Sequence, residues 1–249
     1  MPPRVAVIVF PGTNSEAETV DACRDAGMAA ECFWWADDPA SLRDFDAYVL
    51  AGGFAHEDRV RAGAIAAKSP LVAIVKEQTE AGKLALGLCN GAQVLAESGM
   101  LGAVAIARNL PSGHFQCRYV DVVPTGSFER CAFTQGLSPG EPLCMAMAHA
   151  EGRFCGAADA FDELESEGRI VLKYAGRAPN GAMHDAAGIC NAAGNVLGIM
   201  PHPERAAWAF NHLGRDPRYA RGDPNRTVGA HRIFANMALA LRRNRAIVL

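Results

Sequence analysis

The 249-residue sequence predicts an α/β fold: a doubly wound, mostly parallel sheet with a β-rich insertion in the second half. Three observations carry this. Continuous β-branched apolar runs such as Val5–Phe10 suit strands covered on both faces. In the first half these runs alternate with helical stretches. In the second half short strand-like pieces follow one another, separated by turn residues.

Val5–Phe10 is the first strand, broken by Pro11-Gly12-Thr13-Asn14. Ser15 is placed to cap a helix running to Ala26, with Glu16 and Glu18 in its first turn and Gly27 ending it. Ala30–Trp35 and Asp46–Ala51 are the second and third strands, the latter closed by Gly52-Gly53. A helix is expected from about Arg59 to Ala81, interrupted at Pro70. Leu84–Leu88 is the fourth strand, and Gly91–Ser98 begins the next helix. Beyond it, Cys117–Val123, Leu143–His149, Ile170–Tyr174, Ala187–Cys190 and Val196–Met200 read as strands, the last two joined in a hairpin by Asn191-Ala-Ala-Gly194-Asn195. A closing helix spans about Asn225 to Arg243, with Ile233, Met237, Leu239 and Leu241 among its apolar positions. No repeat, low-complexity segment or linker divides the chain, so residues 1–249 read as one domain.

Composition narrows the function. Half the residues are hydrophobic and 20% are charged, inside the globular range. The 24 basic and 27 acidic residues give a net charge of −3 and no electrostatic case for nucleic acid. No apolar run approaches the roughly 18–20 residues of a membrane span. The chain enters its first strand after four residues and turns at once, against a signal peptide and in favour of the cytoplasm. The eight cysteines form no CxxC pair, which argues against a thiolate zinc site and for mostly buried thiols.

The sharpest local signal is Leu84-Ala-Leu-Gly87-Leu88-Cys89-Asn90-Gly91-Ala92-Gln93. A strand ends in a cysteine flanked by glycines two residues to either side, and a helix follows. This is the cysteine counterpart of a nucleophile elbow, with the sulfur near a helix N-terminus that favours the thiolate. A buried cysteine at a strand end is the plainer alternative. A nucleophile needs a base and the base an orienting group. Among seven histidines, His202 in Met200-Pro201-His202-Pro203-Glu204-Arg205 stands out, because Pro203 biases it to extended backbone and Glu204 two residues on then points the same way. Gly52-Gly53 and the amide of Asn90 are candidate oxyanion donors, emerging from strand carboxyl ends.

These residues resemble the class I (triad) glutamine amidotransferases, and within them the glutaminase subunits of phosphoribosylformylglycinamidine synthase. The closer likeness rests on Phe10-Pro11-Gly12-Thr13-Asn14, Arg61-Ala62-Gly63-Ala64-Ile65-Ala66-Ala67, Ala148-His149-Ala150-Glu151-Gly152-Arg153, and Gly188-Ile189-Cys190-Asn191 running into Pro201-His202-Pro203-Glu204-Arg205. It extends over nearly the whole chain and implies a flavodoxin-like sheet. It implies Cys89 as nucleophile on the glutamine carboxamide, His202 as proton carrier, Glu204 as its orienter, and Gly52, Gly53, Asn90 and Gln93 at the oxyanion and substrate site. It also implies a synthetase partner that uses ATP and Mg2+, with or without a small third subunit, and no metal or nucleotide in this chain. Departures fall beside the expected oxyanion turn: Ala51 where proline is usual, Ala55-His56-Glu57-Asp58 for Ser-Tyr-Gly-Asp, and Ala92 for an aromatic residue.

Two other readings stand beside this one. A stand-alone cysteine hydrolase on a related sheet is disfavoured by the position of His-Pro-Glu, far downstream after a β-rich insertion. A non-catalytic regulatory subunit is disfavoured by the presence of all three triad residues. Cys190-Asn191 echoes Cys89-Asn90 without a following helix and reads as structural. His149 and Glu151 read as structural or partner-facing, and Trp34-Trp35 as core packing. From Arg205 onward nine arginines face two aspartates, a solvated helix face or a docking face.

Overall fold

In the computed structural model, residues 1–214, 219 and 222–247 are described. The chain order is β1 (Arg4–Val9), α1 (Glu16–Asp25), β2 (Ala29–Trp34), β3 (Ala47–Leu50), α2 (Pro70–Glu80), β4 (Leu84–Leu88), α3 (Asn90–Glu97), β5 (Ala105–Arg108), β6 (Gln116–Pro124), β7 (Leu143–His149), β8 (Glu151–Cys155), α4 (Ala158–Ser166), β9 (Ile170–Tyr174), β10 (Ala186–Cys190), β11 (Val196–Ile199) and α5 (Arg232–Ile247). Nine strands form one sheet in the order β2-β1-β3-β4-β11-β10-β9-β6-β7. The first five positions pair in parallel. Their 2-1-3-4 order, completed by β11, is that of the flavodoxin-like doubly wound sheet. The rest pair antiparallel and extend the sheet with the β-rich half.

β3, β4, β10 and β11 are buried along their whole length, as continuous apolar strands must be when both faces are covered. β7 alternates buried and half-buried residues. α1 packs on β1 and β2, and α3 on β3, β4 and β11. Register sets the edge that matters: Leu50 pairs with Gly87, and Leu88 with Ile199, so the turns after β3, β4 and β11 emerge side by side. Ligands of open α/β sheets bind at this edge.

Several expectations are corrected. The helix expected over Arg59–Ala81 is helical only in α2; Pro70 opens it, with Ser69 Oγ accepting from the Val72 N–H. The preceding residues form turns around Gly63, whose φ of 79° breaks the helix. α5 starts at Arg232, because Thr227 is drawn into a bridge with Trp208. Its Leu239 is exposed while Ile233, Met237 and Leu241 are buried. Trp34 and Trp35 are half exposed, since β2 is a sheet edge and the pair lies at its end. The β5–β8 ribbon and α4 had no clear sequence signal. β5 and β8 are four and five residues long, too short to show a period, and are defined by pairing with each other.

Candidate active site

Cys89 sits between β4 and α3 at φ 50° and ψ −103°, a left-handed backbone that a non-glycine residue adopts only when its surroundings impose it. The flanking glycines impose it. A Cβ on Gly87 would lie 2.6 Å from Leu95 Cδ1, and one on Gly91 would collide with the Leu50 carbonyl. The turn therefore closes only with glycine at both positions. Cys89 is 4% exposed, its N–H donates to Ile199 O at 2.8 Å, and its thiol reaches Ala148 O at 3.8 Å.

His202 hydrogen-bonds the sulfur of Cys89, and its Nδ1 lies 2.6 Å from Glu204 Oε1. Both partners are buried, at 2% and 0% exposure. The pair does not arise from an extended segment. Pro203 is helical (φ −66°, ψ −32°) and Glu204–Ala206 is a 3-10 turn, so a tight turn brings Glu204 back under the ring. The His202 N–H donates to Ala146 O at 2.7 Å, anchoring the turn to β7. Gly52 gives the ring its space: a Cβ there would lie 2.7 Å from His202 Cε1. Burial pushes the imidazole pKa down, but Glu204 and Cys89 outweigh it and raise it to about 10. His202 is thus held as an imidazolium, which suits a group that returns a proton to a leaving amine. Beside Glu204, burial and that carboxylate push the Cys23 thiol up to about 12, leaving it inert in the core.

The oxyanion donors divide differently from expectation. The Gly52 N–H donates to Ser15 Oγ at 2.8 Å, so Ser15 ties down this turn instead of capping α1 with its side chain. Gly53 lies between two bridging bonds, Phe54 N–H to Gly12 O and Asn14 N–H to Gly52 O, and its own N–H has no partner among the described residues. Gly53 lines the cavity beside Cys89. The Asn90 N–H heads α3, whose first amides have no intrahelical acceptor. The side chains of Asn90 and Gln93 are already engaged: Asn90 Oδ1 accepts from Ala55 N–H (3.0 Å), Asn90 Nδ2 donates to Asp58 (3.2 Å) and Gln93 Oε1 (2.8 Å), and Gln93 Nε2 donates to Glu151 O (2.5 Å). They lace three loops together around the nucleophile.

A cavity of about 80 Å³ opens beside Cys89, bordered by Gly53, Asp58, Gln93, His149 and Glu151. Wider surface hollows elsewhere contain neither Cys89 nor His202. Asp58, His149 and Glu151 were not assigned to the site by sequence, although Ala148-His149-Ala150-Glu151-Gly152 marked the segment. His149 is 3% exposed, and its Nδ1 meets Asn109 Oδ1 at 3.1 Å. Burial, then the charge of His202, lowers its pKa to about 3, so it stays neutral. Burial and Glu151 raise the Asp58 carboxyl to about 6. His56, Glu57 and Asp58 are all left-handed (φ 52–59°), so the departure from Ser-Tyr-Gly-Asp puts strained backbone at the cavity wall. Cys190-Asn191 lies in the β10–β11 hairpin, where Cys190 hydrogen-bonds Cys131.

The profile of the CobB/CobQ-like glutamine amidotransferase domain matches residues 2–238. The chain belongs to this family. The amidotransferase is 42% identical over 207 residues to phosphoribosylformylglycinamidine synthase subunit PurQ of Trichormus variabilis, covering 82% of this chain and 89% of that one. It is 39% identical to the PurQ subunit of Methanothrix thermoacetophila, covering 90% and 95%. Among solved structures it resembles PurLQS from Thermotoga maritima with a TM-score of 0.76 and 31% identity, covering 95% and 98%. All eight cysteines of the amidotransferase are free thiols. No described helix is long and apolar enough to cross a membrane. Of its arginine-rich end, Arg205 pairs with Glu18 at 2.9 Å and Arg232 with Glu141 at 2.6 Å, whereas Arg215, Arg218 and Arg221 lie outside the described residues.

Proposed function

We propose that this amidotransferase is the glutaminase subunit of a phosphoribosylformylglycinamidine synthase, supplying ammonia for purine biosynthesis in the cytoplasm. The observation that carries the chemistry is the strained Cys89 hydrogen-bonded to a buried His202–Glu204 pair. Cys89 Sγ attacks the carboxamide carbon of glutamine, and the developing oxyanion is met by the N–H groups of Gly53 and Asn90. His202 delivers a proton to the departing nitrogen, ammonia leaves, and a glutamyl thioester remains on Cys89. His202 then takes a proton from water as it attacks the thioester, releasing glutamate and the free thiol. Glu204 stabilises the imidazolium throughout and holds the ring's orientation.

The PurQ and PurLQS likenesses support partnership with a synthetase subunit and a small third subunit. ATP and Mg2+ belong to the synthetase, which joins ammonia to formylglycinamide ribonucleotide, and this chain's own residues need no cofactor for the thioester chemistry. The test is Cys89→Ala in the assembled synthase. Synthesis from glutamine should disappear while synthesis from added ammonia persists. Loss of both in a complex that still assembles would overturn this division of labour, and ready glutamine hydrolysis by a chain that binds no synthetase would favour a stand-alone hydrolase.

A further inference from the structure

The turn that carries Glu204 has little of its own to hold it. Glu204 Oε1 meets His202, but Oε2 is buried and has no hydrogen-bond partner among the described residues, so no second bond grips the carboxylate. Its place is set by the backbone of the Glu204–Ala206 3-10 turn, which closes on a bond from the Ala206 N–H to Pro203 O at 3.2 Å. A helical turn this short leaves its last carbonyls without internal donors. The fold supplies them from outside. The Val228 N–H donates to Ala207 O at 2.8 Å, and His212 Nε2 lies 3.1 Å from Ala206 O. A carbonyl only accepts, so Nε2 carries the proton and donates. The His212 side chain is buried, and its Nδ1 has no partner among the described residues. An apolar side chain would fill this space without leaving a nitrogen unpaired, and the ring's one hydrogen bond among the described residues goes to the turn. Tyr119 backs the arrangement from β6. Its hydroxyl donates to Asn211 O at 2.8 Å, with Arg205 O a longer second acceptor at 3.4 Å, and its ring meets that of His212 edge-on at 5.4 Å. Tyr119 pairs with Ala146 of β7, whose carbonyl takes the His202 N–H, so the support and the imidazole it serves hang from one row of the sheet.

We propose that His212, with Tyr119 behind it, is a positioning residue: it fixes the 204–206 turn and thereby holds the Glu204 carboxylate against His202. Arg205 ties the outer side of the same turn to Glu18 Oε1 and Asn14 Oδ1, both at 2.9 Å, but these contacts are partly exposed, whereas the bond from His212 is buried. Water competes for the first and not for the second. Neither His212 nor Tyr119 borders the cavity beside Cys89, so their effect reaches the reaction through the carboxylate and not through glutamine. A displacement of about 1 Å is enough to cost up to about a hundredfold in rate when it misaligns a reacting group. Ala206 is two residues from Glu204, so a carbonyl freed there loosens the turn at its far end.

This inference rests on the glutaminase reading, and its test separates the two. Ammonia release from glutamine is measured in the full chain assembled with its synthetase, and the His202 titration is followed by NMR with labelled histidine. His212→Phe keeps a ring against Tyr119 and removes the donor. It should lower kcat by about ten- to a hundredfold, leave KM within about twofold, and move the His202 midpoint down by about one pH unit as the carboxylate drifts from the ring. His212→Gln, which keeps an N–H donor at about the reach of Nε2, should bring kcat back to within about threefold of the unsubstituted chain. With Glu204→Gln already present, His212→Phe should change kcat by less than about twofold, because the charge it positions is gone. Tyr119→Phe removes only the hydroxyl and should act in the same direction, by about threefold in kcat, which keeps the test open where His212→Phe does not assemble. A His212→Phe chain that unfolds at lower urea but keeps its kcat and its His202 midpoint would overturn the proposal, since that is the mark of packing alone. So would a full loss repeated on top of Glu204→Gln, or a silent Tyr119→Phe. Absence of ammonia from the unsubstituted assembly would overturn the glutaminase reading, while the His202 titration would still decide whether His212 positions Glu204.

Discussion

Glu204→Gln removes one negative charge 2.6 Å from Nδ1 of His202 while leaving an oxygen that still accepts the same hydrogen bond. Ring orientation is preserved and only charge is lost. Burial lowers the imidazole pKa, and Glu204 leads the influences that raise it to about 10. Without that carboxylate the pKa should fall, with only Cys89 left to oppose burial. Breaking a buried ion pair costs about 3–5 kcal/mol, so kcat for glutamine hydrolysis should fall by about 10²–10⁴, less than for His202→Ala, which removes the proton carrier itself. The assay is steady-state ammonia release in the assembled complex, with an NMR titration of isotopically labelled histidine to follow His202. Linkage gives a second sign. A folded-state pKa above the unfolded value contributes stability below pH 6.5 that is lost as pH rises toward 10, so the unsubstituted chain should lose stability across that window and Glu204→Gln should lose less. A variant with unchanged kcat and an unmoved His202 titration would refute the role given to Glu204.

Gly91→Ala should destabilise by about 3 kcal/mol or more in urea unfolding, because its methyl group meets the Leu50 carbonyl in a close-packed layer. His149 has the opposite linkage sign to His202: its pKa near 3 keeps it neutral when folded, so its contribution is present above pH 6.5 and lost as pH falls. Between pH 6.5 and 5 that loss is about 2 kcal/mol, and His149→Gln should remove it from the urea midpoints. The isolated chain should hydrolyse glutamine about 10²–10³-fold more slowly than the assembled synthase, the worth of one oxyanion donor, the Gly53 N–H, whose turn docking aligns. Equal rates with and without the synthetase, its substrate and nucleotide would refute partner gating.

The sequence alone determined the parallel half of the sheet and the nucleophile. Runs such as Val5–Phe10 and Leu84–Leu88 are apolar at every position because both faces are covered, and Gly87 and Gly91 flank Cys89 because no other residue lets that turn close. The His202–Glu204 pair was legible as a spacing, although a tight turn at Pro203 makes the contact instead of extended backbone. Only the tertiary structure decided the rest. Ser15 and Gly52 are 37 positions apart in sequence, so no local pattern could show that one consumes the other's N–H. The cavity wall gathers Asp58 from the loop after β3 and His149 and Glu151 from the end of β7 and the start of β8. Whether a carboxylate or an imidazole is solvated, structural or part of a site depends on what the fold packs against it. That burial is a property of the assembled sheet and loops, and no single segment of the sequence contains it.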